Sequence, residues 1–488
     1  MCLLSVNVDP ALVVGPGVCI PAGWAQEMSM KNPATGQPQG MRAFTVVWIG
    51  QFISLLGTSM TGFALPIYVF GETGRVQELA LLGLAFMLPL IVISPFAGAI
   101  VDRSNRKLMM MLSDLAAGLM TIVVLILVST GQLEIWHLFI TNAISGLFQA
   151  FQWPAYSAAI SVMLPKEQYA RANGMISLAE SGSGIFAPVL AAALLGFVGL
   201  QGVLLIDIFT FLFAIGALLL VYIPQPPRTA EGAEGQGNLL TEAAYGFKYI
   251  WRRPSLLGLQ LVFMTGNFLT TIAMTIVPAM VLLRTDNNEL ALGSVQSAGA
   301  VGGVVGALVM SAWGGPKRLV HGVLLGWFFS SWLGVVLLGV GQTVPVWAVA
   351  GFCGIFFVPI INGSNQAIWQ AKVAPDVQGR VFSIRRLIAW GIDPLARLLA
   401  IPLADVIFGP ALRSGGALVN NSFITRLVGT GPGAGEAWVI VMCGVLASLV
   451  GLAAYLAPVV RNAETILPDH VAVAGVPAGT EVETAPAA

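Results

Sequence analysis

Five ionisable side chains, Asp114, Glu180, Asp207, Asp393 and Arg397, sit inside long apolar stretches of this 488-residue sequence. A charge in a hydrocarbon-like surround is costly, and where it persists it marks a proton relay, an ion pathway or a buried pair. Glu180 has no cation at helical spacing on its own stretch and only small polar neighbours. Burial without a partner favours the neutral acid, so such a carboxyl can take up and release a proton near neutral pH. The alternative is that a loop cation such as Arg103 or Arg106 neutralises it. Asp393 and Arg397 are four residues apart and can face each other on one helix, which reads as a self-neutralising pair or as a coupling site. Asp114 is a further coupling candidate, or a structural partner for the basic turn at 102–107, and Asp207 reads either way.

The elements that must position these groups follow from composition. The chain is 57% hydrophobic and 9% charged, with a formal net charge of zero. Soluble domains carry roughly a quarter charged residues, so this is a membrane protein, and nothing in its charge points to nucleic acid. A helix needs about 20 mainly apolar residues to cross a bilayer core. Twelve stretches qualify, at about 43–70, 79–101, 108–130, 135–163, 172–196, 200–223, 255–283, 290–313, 319–341, 344–372, 387–409 and 436–460. At 1.5 Å per residue, Asp114 and Glu180 lie roughly 9 and 12 Å in from one face and Asp207 about 10 Å in from the other.

The longest break, 224–254, opens with Pro224, Pro226 and Pro227 and turns amphipathic around Tyr245, Phe247, Tyr249 and Trp251, as a helix lying on a membrane surface does. It predicts a linker between two six-helix bundles, 42–223 and 255–460. Residues 1–41 lack the pattern of a secretory signal. They are expected to be disordered, or to reflect an early start codon, with 461–488 a disordered tail. With the N-terminus inside, eighteen basic residues fall in inner loops and tails, Arg385 and Arg386 among them, against four outside. That bias puts both termini in the cytoplasm. Polar side chains available to a central cavity are Gln51, Asn142, Gln149, Gln152, Asn267, Asn362, Asn365 and Gln366, with Trp153 and Trp369 as aromatic walls. Each alone is as readily a helix–helix hydrogen bond. The four cysteines have no metal or redox spacing. No nucleotide loop, metal cluster or nucleophile constellation is present, so no cofactor or enzymatic reaction is expected.

Between the second and third stretches runs Gly98-Ala-Ile-Val-Asp102-Arg103-Ser-Asn105-Arg106-Lys107. This resembles the G-x-x-x-D-R-x-x-R-K signature of the major facilitator superfamily. In physical terms Gly98 permits close helix approach, Asp102 can meet a helix N-terminus or arginine of the other half, and Arg103, Arg106 and Lys107 anchor the turn. The corresponding turn after the eighth stretch, Gly314-Gly315-Pro316-Lys317-Arg318, keeps the basic pair and lacks the aspartate. Asp114, Gln51-Phe-Ile-Ser-Leu-Leu-Gly57 and Gly379-Arg380-Val-Phe-Ser resemble the branch holding macrolide-efflux proteins and the enterobactin exporter. The resemblance implies an all-α fold of two pseudo-symmetric six-helix bundles, with substrate bound near the midplane by alternating access. It further implies proton-coupled efflux of a small amphiphilic molecule by a monomer in a bacterial cytoplasmic membrane; uptake symport, or a lipid translocase or sensor on the same scaffold, are the alternatives. Small residues Ser183, Ala187 and Ala191, and the pairs Gly299 with Gly303 and Gly302 with Gly306, allow close helix contact; the resemblance implies that the fifth and eighth stretches meet between the halves, with a hinge role or generic packing as the two readings.

Overall fold

A computed structural model describes residues 39–227, 229–234, 237–413 and 416–470. Among them the regular elements are helices and no strand forms. The first half holds α1 (Gly40–Thr73), α2 (Val76–Arg103), α3 (Arg106–Ser129), α4 (Ile135–Met163) and α5 (Tyr169–Leu220). The connection carries α6 (Ala230–Glu234) and α7 (Leu239–Trp251). The second half holds α8 (Pro254–Arg284), α9 (Glu289–Trp313), α10 (Leu319–Phe329), α11 (Val344–Phe356), α12 (Val358–Lys372), α13 (Gln378–Trp390), α14 (Asp393–Ile401) and α15 (Ala434–Leu456). Ten helical segments among the described residues are long and apolar enough to cross a membrane. One of them, Lys166–Leu220, contains two crossings, because Gly199 at φ 64° and ψ −174° breaks α5 into antiparallel arms. The 29-residue α4, more polar through Asn142, Gln149 and Gln152, is a further crossing, which brings the set to twelve.

Local chemistry sets the boundaries. Asn105 starts α3 by accepting the Leu108 N–H at 3.2 Å, and Asn288 starts α9 through Ala291 at 3.1 Å. The first turn of α13 has a different cap. Its exposed amides are taken by Asp102, 277 residues earlier in the chain. Helix therefore begins at Gln378 rather than near 387, and Arg385 and Arg386, expected in an inner loop, lie two turns inside it.

Two other expectations are met only in part. Ala187 and Ala191 pack on Met60, Ala64 and Val203 of their own half. Gly302 and Gly306 press against the backbone of Phe352 and Phe356, again within one half. The fifth and eighth stretches do meet across the halves, through Gly303 and Ser181 and where a Cβ on Gly174 would strike Met310 and Ser311; the other small residues pack inside the bundles, since small faces serve any close helix pair. Secondly, residues 461–470 are ordered, although they were expected in a disordered tail; 471–488 and 1–38 lie outside the described residues. Glu464 accepts the Leu319 and Val320 N–H groups that start α10, and Asp469 bridges Lys166 at 2.8 Å and Lys372 at 2.7 Å. Burial alone would raise the Asp469 carboxyl, but hydrogen bonds and charge from the two lysines outweigh it and hold it below the usual range. Polar anchors of this kind fix a segment that its composition leaves loose.

Candidate functional site: an interdomain gate and the carboxylate beside it

The loop between α2 and α3 meets the start of α13 through a set of close polar contacts. Asp102 accepts from the Gly379 N–H at 2.7 Å and the Arg380 N–H at 2.9 Å, and pairs with the Arg380 Nε at 3.3 Å. Its side chain is 0% exposed. Gly98 and Gly379 permit the approach: a Cβ on Gly98 would collide with the Gly379 carbonyl, and one on Gly379 with Gly98 and Asp102. Arg106, buried, donates to the Ala158 carbonyl at 2.7 Å and to the Pro375 carbonyl of the other half. Arg103 forks onto Glu242 of α7 at 2.8 and 2.9 Å and onto the Gly237 carbonyl at 2.6 Å. Lys107 caps the end of α5 at the Val221 carbonyl, 2.8 Å.

Around this centre the halves are stitched mostly by uncharged groups. Ser161 Oγ donates to Gln378 Oε1 at 2.6 Å, Asn173 Nδ2 to Gln370 Oε1 at 2.8 Å, and Gln370 Nε2 to the Ser157 carbonyl at 2.8 Å. Gln366 Nε2 donates to Ser157 Oγ. Arg171 reaches the Ser311 carbonyl at the end of α9, 2.8 Å. One end of the molecule, the end bearing the motif, is thereby closed. Glu242, Ser157, Ser161, Asn173, Gln370 and Gln378 carry much of this closure, yet the sequence offered no signal for them, since each is an ordinary polar residue until the halves meet.

The carboxylates deeper in the helices fall into different surroundings. Asp207 is buried and accepts from Thr58, Thr61 and Thr121 at 3.0–3.1 Å. Asp114 accepts from Gln51 at 2.8 Å and Gln152 at 3.0 Å, and so partners two expected cavity residues rather than the motif turn. Asp393 pairs with Arg397 at 2.9 Å and accepts from Thr271 at 2.7 Å. Arg397, however, is 63% exposed, so the pair is not the fully buried one that the spacing suggested. Exposed pairs contribute little. Arg397→Ala is accordingly expected to cost at most about 1 kcal/mol. Asp393→Ala is expected to cost more, because Thr271 also loses its acceptor; a melt in detergent with the reverse order overturns this.

Glu180 differs from all three. Its side chain is exposed, although Ala179 before it and Gly182 after it on α5 are buried, and among the described residues it has no hydrogen-bond or ion-pair partner. The opposing charge is Arg386 of the other half, close enough to interact electrostatically. Arg103 and Arg106, the loop cations considered for this role, are engaged elsewhere. The Arg386 guanidinium lies 5.1 Å from the Trp153 ring centroid, a cation–π distance. Arg385 beside it is buried over Trp369 at 5.2 Å. Both arginines were missed as site residues because the helix containing them takes its N-terminal cap from another bundle.

Of the remaining candidates, Gln149 and Asn362 are exposed. Asn142 bonds back to the Leu138 carbonyl at 2.8 Å, Asn267 to the Ala389 carbonyl at 3.1 Å, and Asn365 accepts from buried Trp369 at 3.1 Å. Gln51, Gln152, Asn365, Gln366 and Trp369 are thus committed to packing contacts.

Two helical bundles meeting around a sealed end and a charged interface define a membrane transporter. The Major Facilitator Superfamily profile matches residues 47–392, and the chain belongs to that family. It is 25% identical over 367 residues to macrolide efflux protein A of Streptococcus pyogenes, spanning 75% of this chain and 90% of that one. It is 27% identical over 370 residues to the multidrug efflux pump Tap of Mycolicibacterium fortuitum, spanning 72% and 86%. A bacterial homologue of the iron transporter ferroportin, in an outward-facing state, superposes with a TM-score of 0.62 at 16% identity, over 85% of this chain and 99% of that one. The Escherichia coli fucose:proton symporter superposes at 0.61, with 12% identity, over 84% and 98%. These last two likenesses concern the fold.

Proposed function

We propose that this transporter exports a small amphiphilic molecule across the bacterial cytoplasmic membrane in exchange for protons. In this reading the motif end faces the cytoplasm, and the structure is the state closed on that side. The observation that carries the reading is Glu180, a carboxylate left open and unpartnered on the interface between the halves while the end below it is sealed. A mid-helix carboxylate facing lipid would be costly, so its exposure fits a water-accessible cavity. Proton binding there weakens its attraction to Arg386 and favours parting of the halves at that point; substrate and proton thereby compete for one interface. The efflux direction is supported by the efflux relatives, for which the macrolide and multidrug substrates are named. Both termini are placed in the cytoplasm on the basic-residue bias, and the working unit is one chain.

The test uses everted membrane vesicles and a labelled macrolide. With the lumen acidic, vesicles carrying the protein should accumulate the label, and collapse of the pH gradient should abolish it. Accumulation only under the opposite gradient would identify a symporter, and none above vesicles lacking the protein would overturn the macrolide assignment.

A further inference from the structure

The turns that lead into α5 and α13 are counterparts. Pro165-Lys-Glu-Gln-Tyr-Ala-Arg171 follows α4 and Pro375-Asp-Val-Gln-Gly-Arg380 follows α12, and each contains a short 3₁₀ turn, Lys166–Gln168 and Pro375–Val377. Asp102 of the first half grips the second of these turns at Gly379 and Arg380. The loop placed to return that grip, Gly314 to Arg318, has no carboxylate. A carboxylate of the second half reaches the first turn all the same. Asp469 of the C-terminal segment meets Lys166 Nζ at 2.8 Å.

The segment that carries Asp469 is fixed to the second half. Ala463 is buried in that half's core with Leu259 and Val320, Glu464 holds the start of α10, and the His470 N–H donates to the Ala371 carbonyl at 2.9 Å. Lys372, at the end of α12, has a side chain only 3% exposed. An ammonium has three N–H donors, and the segment supplies three acceptors: the Glu464 carbonyl, the Leu467 carbonyl and Asp469 Oδ1. Pulling the segment away would strand a buried cation, which is strongly unfavourable. Lys166 is 54% exposed, so its pairing with Asp469 is of the weak, solvent-screened kind. When the halves part, the contact that gives is therefore the one between Asp469 and Lys166. We propose that residues 462–470 form a clasp carried by the second half, in which Asp469 is a gating residue. It grips Lys166 while the motif end is closed and releases it each time that end opens, supplying the carboxylate that the second copy of the motif lacks. The proposal rests on the reading that the structure is the state closed on the motif side, and it is independent of substrate and coupling ion.

The test reads opening of the motif end in the full-length protein, with its four native cysteines changed to alanine. Ser157→Cys places a thiol at a buried position of α4 that meets Gln366 and Gln370 of the other half, and its rate of maleimide labelling is measured. Asp469→Asn keeps a carbonyl oxygen for Lys372 and turns an NH₂ toward Lys166. It should raise the labelling rate by about threefold, the size expected of a partly exposed ion pair. Lys166→Ala, at a half-exposed position where folding is not at risk, should raise it equally, and the two changes together should add nothing further. Asp102→Asn in the same background is the reference for an open end. A rise with Asp102→Asn and none with Lys166→Ala overturns the clasp and leaves the gate reading standing; no rise with any of the three overturns both. A rise with Asp469→Asn that Lys166→Ala does not reproduce also overturns the clasp, since the effect would then come from undocking at Lys372.

Discussion

Asp102→Asn will open the motif end and lower transport by at least about tenfold while the protein still reaches the membrane. The carboxylate takes two backbone N–H groups and one guanidinium N–H with its side chain wholly shut off from solvent. Asparagine keeps the size but has a single acceptor oxygen, and its NH₂ faces a donor. It also leaves Arg380, 5% exposed, without this counter-ion. Breaking a buried pair by removing one partner costs about 3–5 kcal/mol. Even about 1.4 kcal/mol taken from one conformer shifts its population tenfold. The loss falls on the closed state alone, since the contact joins residues 277 apart across the halves. Maleimide labelling of Ala374→Cys, fully buried in the closed end, should rise in the Asp102→Asn background. Unchanged labelling together with native transport rates would show that Asp102 does not hold this end shut.

Glu180→Gln is expected to abolish accumulation driven by a pH gradient and to leave exchange of substrate down its own gradient intact. Asp207, with three threonine donors, and Asp114, with two glutamine donors, have all these hydrogen-bond partners within their own half. Glu180 has none among the described residues, and the charge acting on it is Arg386, on the other half. Each proton that binds Glu180 therefore changes the attraction between the halves, a link that the enclosed carboxylates lack. Glutamine preserves shape and hydrogen-bonding reach and cannot titrate. Gradient-driven uptake into everted vesicles and counterflow without a gradient, measured on the same preparation, separate the outcomes. Survival of both makes Glu180 structural and moves the coupling role to Asp393. Loss of both means that the carboxylate serves folding or substrate binding.

The parts of this molecule legible in its sequence are those set by local periodicity and by short spacing. Apolar stretches of bilayer length located the crossings, and Gly98 through Lys107 identified the loop that the structure places against the other half. Asp393 and Arg397 pair as their four-residue spacing required. What spacing cannot carry is partnership across the bundles. Arg385 and Arg386 looked like loop cations because the cap that extends their helix is Asp102. Gln366 looked like a cavity-lining group and Gln370 carried no signal, and the donors of both point into the facing helix at Ser157. Glu242 sat in a stretch of linker composition, and only the fold brings it to Arg103. Residues 461–470 carried no apolar pattern, and they are ordered by Lys166, Lys372 and the start of α10.

The reversal at Gly199 bears on how the topology of this protein can be mapped in cells. A single residue at φ 64° joins the two arms of α5, so the chain turns without a loop. A protease needs several residues of extended backbone to cut, and an inserted epitope needs slack at both ends; this turn offers neither. Insertion there would instead displace the helical register of an arm and swing Asp207 away from its three threonines. The segment between α14 and α15, with Gly429 and Gly431 in left-handed conformations and exposed residues around 420–423, is a place at that end where a reporter peptide can be accommodated.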